Sequence, residues 1–172
     1  MRKSEIIKSI YLQYVDDLYA YAMYLGYEQA VVMDAIHDVF YKFATDETIL
    51  NRVENIKFYL FKSLRNRLND IYRLKRNRVE MPVGDFENLP FAFSVNLDDQ
   101  LITQEQQLQI SQQINAMLNS LTARQREIVY LRYIQQYDYP RISELLHINI
   151  HSCRKLVSKA IQQLRSKFIA EE

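Results

Sequence analysis

Cationic and hydroxyl side chains recur at helical spacing in the segment IHSCRKLVSKAIQQLR, and this combination is suited to binding DNA. Arginine and lysine can donate hydrogen bonds to guanine in the major groove, while serine and histidine can contact bases or phosphates. The candidates for reading DNA are His151, Ser152, Arg154, Lys155, Ser158 and Lys159. Phosphate contacts orient a protein without specifying a sequence. The candidates for such contacts are Arg124, Arg141 and Arg165.

Apolar residues around these cations predict two successive helices. They recur at the spacing of an amphipathic helix in a short run and then in a longer one: Ile142, Leu145 and Leu146, then Cys153, Leu156, Val157, Ala160 and Leu164. Asp138 and Asn149 are the expected N-caps, and the missing N–H of Pro140 is harmless in a first helical turn. Thr122, with Gln125 three residues on, is a capping-box signature that predicts the start of an earlier helix. Two helices joined by a short break, with a basic outer face on the second, describe a helix-turn-helix.

A second polar and basic stripe lies nearer the N-terminus, at steps of 3, 4, 4 and 3: Lys62, Arg65, Asn69, Arg73 and Arg76. On a helix this spacing keeps the side chains on one face over about 20 Å. Phe58, Tyr59 and Phe61 precede or begin the stripe. Aromatic rings beside cations can stack on unpaired bases. The alternative is that these rings belong to the core.

No pattern in the sequence indicates catalysis. Asp34, His37 and Asp38 share a predicted helical face, as metal ligands would, but no matching set occurs on another helix. We therefore interpret that face as solvated or partner-binding. Cys153 falls on an apolar face and is expected in the core. The sequence contains no phosphate-binding loop and no Ser-His-Asp order, so we expect no enzyme and no metal or other cofactor.

Composition and periodicity predict an all-α fold of two helical modules. The 172 residues include only 2 glycines and 3 prolines, and two of those prolines lie in MPVGDFENLPFAFSVNLDDQ, which has no sustained period. We predict a three-helix-type N-terminal module at 1–78, a flexible linker at 79–106 and a four-helix C-terminal module at 107–172. Because no run approaches ~18 apolar residues, we expect a cytoplasmic protein without membrane insertion. The single cysteine fits a reducing compartment.

Charge is segregated along the chain although the net charge is only +1. Residues 57–78 carry eight bases and one acid, and residues 124–172 carry nine bases and five acids. Between them, residues 79–123 contain six acids and no lysine or arginine. Since phosphate neutralisation drives DNA binding, so small a net charge predicts poor binding of duplex DNA by the free protein.

Several of these motifs resemble those of a known family. LTARQREIVYLRY and the following YPRISELLHINIHSCRKLVSKAIQQLR resemble region 4 of bacterial sigma factors. MDAIHDVFYKF and NIKFYLFKSLRNRLNDIYRLKRNR resemble regions 2.2 and 2.3–2.4. With two modules and a short linker, the chain is similar to the extracytoplasmic-function (ECF) group from about residue 10 to 168. The resemblance implies a protein that binds core RNA polymerase, recognises promoter DNA and promotes strand opening.

The resemblance also implies residue roles. Asp34 and Asp38 fall where region 2.2 docks on the clamp helices of polymerase, and region 4 is expected at the flap. The loop 45–57 falls where ECF factors capture a flipped base of the minus-ten element. Residues matching minus-ten recognition and melting are Tyr59, Lys62, Arg65, Asn66, Asn69, Arg73 and Arg76. The minus-thirty-five helix would present His151, Ser152, Arg154, Lys155, Ser158 and Lys159. An anti-sigma factor is expected by analogy.

The sequence departs from the family pattern at a few positions. Gln136 and His147 stand where glycine is common, Tyr59 stands where tryptophan is usual, and Pro140 with Arg141 replaces an acidic pair. Two other functions remain open. A LuxR-type regulator would bind DNA autonomously but would need an upstream receiver or sensor, and residues 1–78 show no βα alternation. A helical polymerase adaptor would not bind DNA.

Overall fold

The computed structural model describes residues 2–78 and 103–169, with side chains throughout except at 76–78. All regular structure within these ranges is helical, which confirms the all-α prediction. The chain divides into two compact units, Met1–Val83 and Gly84–Glu172. Across the described part of the chain, every helix is too short or too polar to cross a membrane.

The N-terminal unit is built from three long helices and one short one. These are α1 (Lys3–Tyr24), α2 (Gln29–Thr45), α3 (Ile49–Arg52) and α4 (Ile56–Arg78). Gly26 permits the turn after α1, because its φ of 91° lies in the region that favours glycine. Helix α2 packs against both α1 and α4 through an apolar face with helical spacing, whose members are Val32, Ala35, Ile36, Val39, Phe40 and Phe43.

The mainly polar segment 46–55, between α2 and α4, contains more structure than its composition indicates. Asp46 accepts hydrogen bonds from the Thr48 hydroxyl at 2.7 Å and from the Thr48 backbone N–H at 2.9 Å. These bonds lower the pKa of the Asp46 carboxyl. The chain then forms α3, whose first residue, Ile49, is completely buried. One apolar residue in a polar segment thus ties the loop to the core.

The C-terminal unit contains the four predicted helices: α5 (Gln104–Asn119), α6 (Ala123–Val129), α7 (Tyr139–Leu146) and α8 (Ile150–Phe168). Helix α8 packs against α6 and α7, and its Cys153, Val157 and Ala160 are buried. Helix α5 begins four residues before Leu108, the first apolar residue in its sequence. It does so because Thr103 and Gln106 form a reciprocal capping box. Residues 79–102 of the predicted linker lie outside the described residues.

Three helix starts in this unit follow from local side-chain chemistry, as predicted. The Thr122 hydroxyl accepts a hydrogen bond from the Gln125 N–H, and the Gln125 side chain accepts one from the Thr122 N–H. Asp138 accepts one from the N–H of Arg141, and Asn149 accepts one from the N–H of Ser152. Each bond satisfies a donor that would otherwise lack a partner in the first turn of a helix.

The helix that begins with α6 changes its winding before it ends. Residues Tyr130–Ile134 form a π-helical turn directly after α6. Gln136 then adopts a left-handed backbone with φ of 56°, and His147 does so after α7 with φ of 54°. At both positions the family resemblance described above implies a preference for glycine. The backbone explains that preference, because a Cβ atom is disfavoured at positive φ.

Replacing Gln136 with glycine should stabilise the C-terminal unit by up to about 1 kcal/mol, since glycine adopts this backbone without a Cβ clash. Chemical denaturation followed by circular dichroism would measure the change. As a control, Gln162→Gly in the interior of α8 should cost about 1 kcal/mol. Equal destabilisation by both substitutions would contradict the explanation.

Candidate nucleic-acid interface

A tightly held turn joins α7 and α8. The N–H of Ile148 donates to the carbonyl of Ser143 at 3.2 Å, and the Ser143 hydroxyl donates back to the carbonyl of Ile148. The Asn149 side chain accepts from the Ser152 N–H at 2.7 Å and begins α8. The left-handed residue His147 supplies the change of direction. The turn therefore fixes α8 relative to α7, as a helix-turn-helix requires.

The two sides of α8 differ as the sequence predicts. Cys153 and Ala160 are completely buried against the rest of the unit. Burial raises the pKa of the Cys153 thiol, which fits a packing role better than a nucleophilic one. On the outer side, five of the six predicted DNA-reading residues are exposed: His151, Arg154, Lys155, Ser158 and Lys159. Ser152 is only half-buried, and its backbone N–H is used by the cap.

The three arginines assigned to phosphates lie on three different helices of this unit. Arg124 is in the first turn of α6, Arg141 is in α7, and Arg165 is near the end of α8. All three side chains are exposed. Arg165 and Arg154 line the same shallow groove. Exposed guanidinium groups beside a reading helix have the donors needed for phosphate oxygens.

Two residues beside Arg154 were missed by sequence reasoning. The Cζ atom of Arg132 lies 4.7 Å from the centre of the Tyr139 ring, and that of Arg154 lies 5.6 Å from it. Arg132 also donates a hydrogen bond to the carbonyl of Tyr137 at 3.1 Å. Arg132 lies within the π-helical turn and before the left-handed residue Gln136, so regular helical periodicity does not place it beside residues seven and twenty-two positions later.

Helix α4 carries the second basic face in the N-terminal unit. Arg73 is exposed. The other members with described side chains are half-buried: Lys62, Arg65, Asn66 and Asn69. The side chain of Arg76 lies outside the described residues. The helix therefore brings four predicted cationic or amide side chains, together with Arg73, to a partly exposed surface.

The aromatic residues at the start of α4 have different environments. Phe61 is completely buried, with its ring centre 5.1 Å from that of Tyr21 in α1. Of the two interpretations that the sequence left open for Phe61, the core interpretation therefore holds and stacking on unpaired bases does not. Tyr59 is half-buried with its ring centre 6.2 Å from that of Phe43. Tyr59 thus keeps an accessible part, which Phe61 lacks.

A groove of about 380 Å³ lies between α2 and α4. It is lined by one residue predicted to bind polymerase and by two predicted to bind the minus-ten element. Its walls include Asp38 from the acidic helix and both Tyr59 and Asn66 from the basic one. Arg67, which sequence reasoning did not single out, donates from its Nε to the Asp38 carboxylate at 2.8 Å. The ion pair orients a carboxylate whose side chain is still half exposed.

The outer face of α2 is acidic and also carries an exposed aromatic ring. Asp34, His37 and Asp38 are exposed, as the sequence predicts. Tyr41 lies one turn beyond Asp38, and 73% of it is exposed. Its spacing from Asp34 and Asp38 was a usable sequence signal for a place on the same face. Within the described ranges, no group of three His, Cys, Asp or Glu residues could hold a metal ion.

Comparisons with known proteins agree with this geometry. Residues 111–164, which extend from α5 to α8, match the family model for sigma-70, region 4. The fold resembles that of the sigma factor RpoE in complex with the anti-sigma factor NepR from Bartonella quintana, with a TM-score of 0.65 and 21% identity over 96% of this chain and 98% of that one. It also resembles CnrH in complex with the cytosolic domain of CnrY, with a TM-score of 0.59 and 15% identity over 98% of this chain and 91% of that one. No curated protein sequence matches the chain.

Proposed function

We infer that this chain, whose residues 111–164 belong to sigma-70 region 4, is a sigma factor of the ECF group. It binds core RNA polymerase, recognises promoter DNA and promotes strand opening for transcription initiation. The observation that carries this function is the position of the region 4 match, which covers a helix-turn-helix with an exposed basic face on its second helix. The likeness of fold to two sigma factors extends over nearly the whole chain and supports it.

We assign reading of the minus-thirty-five element to the C-terminal module, 107–172. In a helix-turn-helix the second helix enters the major groove with its N-terminal turns nearest the bases. Arg154 and Lys155 lie in those turns and are exposed. They would read guanine, while His151, Ser152, Ser158 and Lys159 contact neighbouring bases or phosphates. Arg124, Arg141 and Arg165 would hold phosphates and so fix the register of the helix.

We assign recognition and melting of the minus-ten element to the N-terminal module, 1–78. Strand opening requires a surface that binds the separated strand better than the duplex. Aromatic stacking and cationic backbone contacts supply that preference. Tyr59 provides the accessible ring, and residues further along α4 would provide cations and amide groups: Lys62, Arg65, Asn66, Asn69, Arg73 and Arg76. The segment 45–57, tied down by Ile49, would receive a flipped base.

The acidic face of α2 is the surface that we propose for docking on the clamp helices of polymerase. Asp34 and Asp38 supply negative charge, and the ion pair with Arg67 holds Asp38 in one orientation. Tyr41 adds an exposed aromatic side chain, a residue type that often anchors protein interfaces. Region 4 would contact the flap. Two separate contacts would place both DNA-binding faces on one promoter.

In vitro transcription with purified core polymerase on a library of genomic fragments tests the function directly. The wild-type chain should direct initiation from specific sites, whereas the free chain at physiological salt should show no measurable promoter affinity in a fluorescence assay. We expect the free chain to bind DNA poorly because its net charge of +1 would release few counterions from the duplex. If core polymerase neither binds the chain nor opens any duplex with it, the proposal is wrong.

The same pair of assays separates the alternative functions. A LuxR-type regulator would bind its operator tightly without polymerase, and a polymerase adaptor would bind polymerase without adding promoter specificity. The sigma-70 region 4 match and the fold favour neither. We also propose no catalytic activity and no cofactor, because a sigma factor supplies recognition and leaves phosphodiester chemistry to polymerase.

We propose that an anti-sigma factor regulates this chain in the cytoplasm. The support is by analogy, since RpoE is bound to the anti-sigma factor NepR and CnrH to the cytosolic domain of CnrY. Such a partner would compete with polymerase for the faces assigned above. Co-purification of the chain with a small protein that blocks transcription would support the proposal.

Reversing the charge of Asp34 should weaken binding to core polymerase. The variant Asp34→Arg places a cation on the acidic docking face, and we expect a loss of affinity on the order of tenfold, because like charges brought together at an interface are strongly unfavourable. Competition with a labelled sigma factor for core polymerase measures it. Asp16→Arg, on the exposed side of α1, is the matched control and should bind normally. Equal affinities for both variants would remove α2 from the docking surface.

A further inference from the structure

The ring of Tyr139 lies at the start of α7, with the guanidinium groups of two arginines within about 6 Å of its centre: Arg132 at 4.7 Å and Arg154 at 5.6 Å. Tyr139 is the first residue of α7 and follows the N-cap Asp138, whose side chain is bonded to the Arg141 N–H at 3.0 Å. Arg132, the nearer arginine, is itself held by its hydrogen bond to the Tyr137 carbonyl. The ring is therefore packed against an anchored group on an anchored helix start. It provides a fixed platform beside α8.

The Tyr139 ring restricts the orientation of the Arg154 side chain. Its guanidinium lies 5.6 Å from the ring centre, within the range in which a cation is attracted to an aromatic face. Arg154 is otherwise exposed, and a long exposed side chain samples many rotamers. A contact that selects one orientation before DNA arrives reduces the entropy lost on binding. It also limits which base pair the guanidinium can reach.

We propose that Tyr139 is a positioning residue for promoter reading: its ring holds the Arg154 guanidinium and thereby determines the base pair that Arg154 recognises. The inference rests on the proposed function, because it concerns the same minus-thirty-five surface. Tyr139 itself needs no contact with DNA. Its effect should be confined to the position that Arg154 reads.

A promoter library randomised across the minus-thirty-five element tests the proposal in transcription reactions with core polymerase. In the variant Tyr139→Leu, base preference should fall about two- to fivefold at the position that also loses preference in Arg154→Ala, as expected for one exposed cation–π contact. Preference at the other positions should stay as in wild type. Tyr139→Phe keeps the ring and should keep the preference. Tyr133→Leu replaces another tyrosine of this unit, 54% exposed, and should not change the profile.

Two results would overturn this inference alone: an unchanged profile in Tyr139→Leu, or an equal loss of transcription at every sequence, which would indicate a purely structural role. If the wild-type holoenzyme initiates nowhere, the proposed function and this inference both fail. An NMR measurement does not depend on the leucine variant folding. In the wild-type chain and in Tyr139→Phe, the side-chain protons of Arg154 should be shifted upfield by the ring. Unshifted Arg154 protons would overturn the contact itself.

Discussion

Replacing Arg154 and Lys155 together with alanine should lower promoter-dependent transcription on the order of 100-fold, while binding to core polymerase is retained. Each well-formed bidentate contact to a base is worth about 1–3 kcal/mol, and 1.4 kcal/mol corresponds to a factor of ten. Both side chains are exposed, so their removal should change the free energy of unfolding by no more than about 1 kcal/mol, the value of the exposed contact between Arg154 and Tyr139. Run-off transcription and a competition assay for core polymerase give the two measurements.

The control for this experiment removes the same charge elsewhere. Lys8 in α1 and Lys167 in the last turn of α8 are exposed and lie outside the assigned surfaces, so Lys8→Ala with Lys167→Ala should transcribe nearly as wild type. Loss of activity only in the Arg154 and Lys155 variant would indicate base reading. Undiminished transcription from the same promoter in that variant would instead favour the polymerase-adaptor interpretation.

Replacing Phe61 with alanine should destabilise the N-terminal unit by about 3–5 kcal/mol, the usual cost of removing a buried aromatic side chain. Phe61 is completely buried and its ring contacts Tyr21, so the substitution would leave a cavity between α1 and α4. A loss of that size is a large part of the stability of a small unit. Urea or thermal unfolding followed by circular dichroism would measure it.

Tyr41→Ala is the matched control, because it removes an aromatic ring that is 73% exposed and should cost less than about 0.5 kcal/mol. Phe61→Leu should recover much of the stability by refilling the cavity. If Phe61→Ala had the same free energy of unfolding as the wild type but bound single-stranded minus-ten DNA poorly, Phe61 would be a stacking residue. The core interpretation would then be wrong.

Features that depend on neighbouring residues were accessible from the sequence. The N-caps Asp138 and Asn149 and the capping box of Thr122 act within one helical turn, and the structure confirms all three. The apolar faces of α2 and α8 repeat at a fixed spacing, so the residues they bury could also be listed in advance. A repeat of that kind determines which side of a helix faces inward. It does not determine which residues that side packs against.

Features that depend on contacts between distant residues required the tertiary structure. The sequence shows three neighbouring aromatic residues, Phe58, Tyr59 and Phe61, and does not indicate which of them is buried. Only the packing of α1 and α2 against α4 decided that Phe61 is in the core and that Tyr59 is half-buried. The ion pair of Arg67 with Asp38 joins residues 29 positions apart.

The same reasoning applies to the reading surface. The amphipathic pattern by itself determined that Arg154 faces outward from α8. The left-handed backbone at Gln136 and the π-helical turn then decided that Arg132 and Tyr139 lie beside it. Periodicity extends only along one regular helix, whereas the neighbours of a side chain depend on how the chain turns between helices. For that reason the sequence determined the helices and their faces, and tertiary packing decided the surroundings of each functional group.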